Sequence, residues 1–372
     1  MVKLQPYHLV EVETGRVYDA ETPRWCGESG ALLDLAFTPR LNVAALARRK
    51  PELWRYRECL PIQNDESIVS LGEGCTPLLP VRLGGHQVWI KQEQLFSTGS
   101  FKDRGAAVLI SKVKEWAVQR VVQDSSGNAG CAIAAYCARA GLACEIFVPE
   151  NTSAQKIEQI RAYGAGIRLI RGDREATARA ARQAAESIYY ASHCWNPFFL
   201  HGTKTFAYEV WEQLQRRAPD DVVLPAGNGT LLLGAFIGFC ELLEQGLISR
   251  LPEIHAVQTA RCAPLYEAFR RGMLHPVPVA AEDTAAEGIA IAKPVRGSQI
   301  LAAVRQTRGR VIAINEEEIE KSRRDMARQG FYIEPTAAVA VAGAVQILNG
   351  QPPGRTLVTA LTGHGLKHSY TG

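Results

Sequence analysis

The chain has 372 residues, 47% of them hydrophobic and 22% charged, with a formal net charge of +4 at pH 7. That length can bury one large core or two moderate ones. Lys and Arg are scattered among Asp and Glu without a basic tail, which argues against a nucleic-acid partner, and no apolar run approaches the roughly 20 residues of a membrane span.

The first ten residues lack the charged end, apolar run and small-residue cleavage site of a signal peptide. The 9 Cys include no CxxC pair. Several, Cys131, Cys137, Cys144 and Cys240 among them, fall in apolar segments, as free buried thiols do. This usage fits a reducing cytosol better than a disulfide framework.

Along the chain, residues 1–62 carry Tyr7, Thr14-Gly15, Tyr18, Pro23 and Trp25. They read as a short hairpin and loop, a lead-in segment rather than an independent domain. From about residue 87 strands alternate with amphipathic helices. The pattern predicts a strand at 88–90, a helix at 105–116, a strand at 120–123 and a helix at 129–140. A strand at 144–148, a helix at 154–163, a strand at 167–170 and a helix at 174–187 follow. After a strand at 222–225 come a Gly-rich turn, an apolar helix at 231–243, and strands at 254–257 and 311–314. A helix at 337–348 and a strand at 356–361 close the chain. Strands with little polar alternation suit parallel sheets covered on both faces, an α/β fold.

Three turns at strand ends lie where open α/β sheets bind ligands. The first, Thr98-Gly99-Ser100-Phe101-Lys102-Asp103-Arg104-Gly105, sets a Lys at the start of a helix. There the macrodipole opposes its positive charge and favours a nucleophilic amine; a solvated Lys in a Gly turn is the plain alternative. The second, Ser125-Ser126-Gly127-Asn128-Ala129-Gly130, offers backbone N–H groups at a helix start to a substrate carboxylate, or is an ordinary cap. The third, Ala226-Gly227-Asn228-Gly229-Thr230, has the layout of a phosphate cradle but matches neither GxGxxG nor the P-loop. A reactive Lys, a carboxylate turn and a phosphate turn are together the parts that a pyridoxal-phosphate (PLP) enzyme needs.

Ser100-Phe101-Lys102-Asp103-Arg104-Gly105 resembles the cofactor-lysine motif of threonine synthases, PLP enzymes of fold type II in the tryptophan synthase β-like superfamily. Leu71-Gly72-Glu73-Gly74-Cys75-Thr76-Pro77-Leu78, Lys91-Gln92-Glu93, Asn196-Pro197, Gly202-Thr203-Lys204-Thr205, Glu334-Pro335-Thr336-Ala337 and Thr362-Gly363-His364-Gly365-Leu366-Lys367 resemble further motifs of that family. The resemblance implies two doubly wound α/β domains with the active site in the cleft between them. The large PLP-binding domain would span 63–104 and 212–372, and the small one 105–211. It implies a Schiff base between PLP and Lys102, which then serves as acid and base at Cα. Phe101 would lie near the ring and Asn128 on the phenolic oxygen. Gly227, Asn228, Gly229, Thr230 and Leu231 would cradle the cofactor phosphate, and Thr362 would face the pyridine nitrogen. The substrate would meet Thr98, Ser100, Ser125, Ser126, Gly127 and Ala129, and its own phosphate some of Asn196, Lys204, Ser153, Arg161 and Lys293.

The implied reaction converts O-phospho-L-homoserine and water to L-threonine and phosphate in a cytoplasmic homodimer. The alternatives are β-elimination or β-replacement on serine, threonine or a related amino acid, and a non-catalytic protein of the same fold. Two departures from the family pattern stand out. The N-terminal hairpin keeps only Cys26 where many relatives carry a zinc ribbon, so no metal is expected there. Glu287-Gly288-Ile289-Ala290-Ile291-Ala292-Lys293-Pro294 is closer to dehydratase relatives, and Lys293 there suits a phosphate ligand or a solvated side chain equally.

Overall fold

A computed structural model describes residues 6–152 and 154–367, without the side chains of 154–156. In chain order the first elements are β1 (Tyr7–Glu11), β2 (Val17–Tyr18), β3 (Leu33–Phe37), α1 (Val43–Leu46), β4 (Leu78–Leu83), β5 (His86–Lys91) and α2 (Lys102–Glu115). The middle of the chain forms β6 (Arg120–Gln123), α3 (Asn128–Ala140), β7 (Ala143–Pro149), α4 (Ala154–Ala162), β8 (Gly166–Ile170), α5 (Arg174–Ala184), β9 (Tyr189–Tyr190), α6 (Pro197–Thr203) and α7 (Thr205–Gln213). The remainder forms β10 (Asp221–Pro225), α8 (Thr230–Glu244), β11 (Glu253–Thr259), α9 (Pro264–Arg270), α10 (Gly297–Gln306), β12 (Val311–Ile314), α11 (Glu316–Arg328), α12 (Pro335–Asn349) and β13 (Leu357–Ala360).

The chain divides into two units, each formed from two stretches: Met1–Cys75 with Lys102–Thr203, and Thr76–Phe101 with Lys204–Gly372. The chain passes between them at Thr203–Lys204. The reason is local: α6 packs on α2 in the first unit, whereas α7 packs on α8 in the second.

The first unit holds a four-stranded parallel sheet in the order β8-β7-β6-β9. Strand periodicity sends alternate side chains to opposite faces. Ile146 and Val148 of β7 join Cys131 and Ala134 of α3 and Ile157 and Ile160 of α4 in one cluster. Phe147, between them, joins Val122, Ala181 of α5 and Tyr190 in another. Both faces are covered, so the strands read as apolar runs. The N-terminal stretch is a three-stranded antiparallel sheet, β2-β1-β3, whose Tyr7, Leu9, Tyr18 and Leu33 enter the same core as Val108, Ile110, Tyr136 and Phe198. At its centre the Glu11 carboxylate accepts from Ser29 Oγ (2.5 Å) and Thr14 Oγ1 (2.5 Å). The side chain that organises this loop is thus a carboxylate, next to the single thiol of Cys26.

The second unit is built on a six-stranded sheet, β12-β11-β10-β13-β5-β4, parallel except for the β4–β5 hairpin. Helix α12 lies over its central strands, with Ala337, Ala338, Val339 and Val341 against Val88, Ile90, Val223 and Val257. Buried Lys91 ties β5 to α7 through Glu209 Oε2 (2.7 Å) and Gln213 Oε1 (2.8 Å). No helix among the described residues is long and apolar enough to cross a membrane.

Candidate active site

In the first unit, Lys102 is the first residue of α2, and its Nζ lies 5.8 Å from the centroid of the Phe199 ring. The His193 ring stands 6.0 Å from that same ring. His193 Nε2 is 3.0 Å from Cys194 Sγ, while its Nδ1 is buried with no hydrogen-bond partner among the described residues. Burial, reinforced by the positive charges of Lys102 and Arg174, pushes this imidazole well below the usual His range. It is a neutral ring at neutral pH, able to donate or accept but not to carry charge.

After β6 the chain turns through 124–127 into α3. Gly127 caps this helix without a side-chain hydrogen bond, so the first N–H groups of α3 are presented by a turn of small residues. Ser125 Oγ accepts from Gly127 N–H (3.3 Å), which closes a local turn. Asp124, just before it, has its carboxyl pushed up by burial, against the pull of Tyr190, Arg182 and Arg174. Glu73, in the motif at 71–78, has a supporting role. It accepts from Trp54 Nε1 (2.8 Å), Tyr136 Oη of α3 (2.8 Å) and Leu71 N (2.8 Å).

In the second unit, α8 begins directly after β10 and the turn at 226–229. Gly229 has φ +65° and gives α8 no side-chain cap. A side chain at Gly229 would strike Ile300, and one at Gly227 would come within 2.9 Å of the Ile289 Cα. The divergent stretch at 287–294 thus packs directly on this turn, and Gly288 abuts Thr336 of α12.

Residues 99–101, 332–334 and 362–365 meet in one layer of the second unit. Phe101 N–H donates to Thr362 O (3.0 Å), and His364 N–H to Gly99 O (2.9 Å). On the other side of 362–365, Glu334 N–H donates to Gly363 O (3.0 Å) and Gly365 N–H to Tyr332 O (3.0 Å). Thr362 Oγ1 in turn donates to Glu334 Oε1 (3.2 Å). Ser100, fully buried, has an Oγ without a hydrogen-bond partner among the described residues.

The expected phosphate ligands fare unevenly. Lys204 Nζ is fully buried on Glu241 Oε1 (2.7 Å). Asn196 donates to Tyr189 Oη and accepts from Phe198 N (3.0 Å), fixing the start of α6. Both motifs therefore have a structural use that their sequence hides. Ser153 lies outside the described residues, and Arg161 and Lys293 are exposed. Sequence reasoning gave no role to His193, Asp124 or Glu334. His193 stands in no recognisable spacing, and Glu334 was legible only as a helix start.

Among the described residues, Asp221, Glu253 and His255 are close enough to hold a metal. The Arg355 guanidinium already crosses the group, at 2.6 Å from Asp221 and 3.0 Å from Glu253. His255 accepts Arg310 N–H at Nδ1 (3.0 Å), which leaves Nε2 to donate to Asp221 (3.0 Å). Burial alone would raise the Asp221 carboxyl, but His255 and Arg355 together hold it below the usual range. This is a partly buried ion-pair network.

Residues 69–363 match the protein-family model described as "Pyridoxal-phosphate dependent enzyme". The chain is 34% identical over 371 residues to a threonine synthase of Methanocaldococcus jannaschii, covering 96% of this chain and 92% of that protein. With a threonine synthase of Methanosarcina acetivorans it shares 31% identity over 379 residues, covering 98% and 93%. Among solved structures, a serine racemase from Dictyostelium discoideum matches with a TM-score of 0.66 at 25% identity, covering 78% of this chain and 92% of that one. Maize serine racemase, at 20% identity and TM-score 0.68 over 78% of this chain and 88% of its own, shares the fold.

Proposed function

Because this chain belongs to the fold type II pyridoxal-phosphate-dependent enzymes, as a relative of threonine synthases, we propose that it converts O-phospho-L-homoserine and water to L-threonine and phosphate. The observation that carries the reading is identity of 34% with a threonine synthase along nearly the whole of both chains.

The residues present fit the cofactor. The turn at 226–229 requires glycine at 227 and 229, where a side chain would strike Ile289 or Ile300, and it leads into a helix start without a side-chain cap, which suits a phosphate. Ser100 Oγ is a buried polar atom in need of a partner. When bound, PLP supplies an aldehyde for the Lys102 amine and a ring that accepts the electrons released at the substrate Cα.

Each of this chain's residues then has a task. Lys102 moves the proton at Cα. The turn at Ser125, Ser126, Gly127 and Ala129 holds the substrate carboxylate, with Thr98 and Ser100 beside it. Asn128 orients the cofactor's phenolic oxygen. Gly227, Asn228, Gly229, Thr230 and Leu231 hold its phosphate. Thr362 meets the pyridine nitrogen, and Phe101 packs near the ring. For the substrate phosphate, Arg161 and Lys293 are the assigned cations, since Lys204 is committed to Glu241. We place the enzyme in the cytoplasm as a homodimer.

A second reading, β-elimination or β-replacement on a serine- or threonine-like amino acid, draws its support from the stretch at 287–294, whose sequence is closer to dehydratase relatives and which packs on the phosphate turn. The assay separates the two. Purified holoenzyme given O-phospho-L-homoserine should release threonine and phosphate in equal amounts, and Lys102→Ala should not. Release of a 2-oxo acid and ammonia from serine or threonine, with O-phospho-L-homoserine inert, would establish the second reading instead.

A further inference from the structure

Glu334 is the N-cap residue of α12, yet its side chain makes no cap hydrogen bond to that helix. An acid at this position ordinarily accepts from the second or third N–H of its own helix. Here the carboxylate turns to Thr362, and two backbone hydrogen bonds flanking the pair, Glu334 N–H to Gly363 O and Gly365 N–H to Tyr332 O, fix that register. Gly363 permits the approach: a side chain there would occupy the place of the Glu334 carboxyl group. Glu334 is only 3% exposed and Thr362 1%, so water does not compete freely for either group. The positive end of α12 favours a negative charge at this point.

Hydrogen-bond polarity then has a consequence. A hydroxyl has one proton and two lone pairs, while an ionised carboxylate only accepts. The Thr362 proton is directed to Glu334 Oε1 (3.2 Å), which leaves the hydroxyl only lone pairs for a further partner. We infer that Glu334 is a positioning residue: it makes the Thr362 hydroxyl a hydrogen-bond acceptor toward the cofactor's ring nitrogen, so that this nitrogen is protonated when PLP is bound. The inference rests on the reading that Thr362 faces that nitrogen. It changes the chemistry expected of the site, because a lone hydroxyl leaves the ring nitrogen neutral or protonated, whereas one backed by a carboxylate acts as its extension. A protonated ring withdraws electrons more strongly, as in enzymes whose pyridinium is held by an acid.

The test uses holoenzyme reconstituted with PLP labelled with 15N in the ring. Free labelled cofactor in acid and in alkali provides reference shifts for the protonated and neutral nitrogen. Wild type is expected at the protonated reference. Thr362→Val and the nearly isosteric Glu334→Gln are each expected to move the signal toward the neutral reference, with cofactor still bound and near-UV dichroism retained. A wild-type signal at the neutral reference that Thr362→Val nonetheless shifts would place the hydroxyl at the ring but with the opposite polarity, and would overturn the inference. A signal that moves in Thr362→Val but not in Glu334→Gln would remove Glu334 from the role. A signal indifferent to Thr362→Val would overturn the underlying placement of Thr362. Wild type and Thr362→Val decide the polarity even if Glu334→Gln does not fold.

Discussion

At Lys102 the amine faces the Phe199 ring, and the same ring neighbours His193. Lys102 was legible from its turn and from the family motif. His193 was not, since its chemistry comes from burial and from nearby cations rather than from spacing. Its imidazole is held below the ordinary value of 6.5 in the folded chain, so the unfolded chain binds more protons as acid is added. Stability should therefore decline as pH falls below 6.5, and His193→Gln should remove that part of the slope in denaturant melts between pH 5 and 8. Glu11 acts in a lower window. Hydrogen bonds from Ser29 and Thr14 lower its carboxyl from 4.5 to about 2. Its contribution is complete above 4.5 and is lost as pH falls toward about 2, which Glu11→Gln should abolish in the same melts. At Gly363, substitution by Ala would displace the Glu334 carboxylate. It should weaken cofactor affinity, measured by equilibrium dialysis, more than the same change at the exposed Gly127.

At the scale of elements, Lys91 on β5 and Glu209 on α7 form a buried pair, 0% and 1% exposed. Lys91→Met strands the carboxylate and should cost about 3–5 kcal/mol in urea unfolding, while Lys91→Met combined with Glu209→Leu should recover much of it. The KxE motif is thus a fastening of the second unit. Elements with a strong period were the legible ones. The strands expected at 120–123, 144–148 and 167–170 appear as β6, β7 and β8, and the helix expected at 129–140 is α3. The helix expected from 105 begins at Lys102, which puts the lysine inside its first turn. Strand β4 was not read from the sequence. It carries Pro80 and lies at the sheet edge, where a missing N–H is tolerated. The layer that joins 99–101, 362–365 and 332–334 was equally illegible, because it consists of backbone bonds between segments far apart in the chain, which no local periodicity records.

For the whole molecule, the α/β class was readable because both faces of the first unit's sheet are covered. Residues 1–75 group with 102–203 because the N-terminal sheet shares a core with α2 and α6. Cofactor binding to the folded chain should raise its stability by mass action, by about 2.7 kcal/mol at a free PLP concentration 100-fold above Kd. Thermal melts with and without PLP should show the increase, and Lys102→Ala should reduce it at equal PLP. Whether this chain carries PLP on Lys102 is decided by reducing the holoenzyme with borohydride and locating the pyridoxyl group by peptide mass spectrometry. One labelled peptide is expected, modified at Lys102. Label on another lysine, such as Lys204 or Lys293, or no covalent label on protein that has bound PLP, would contradict it.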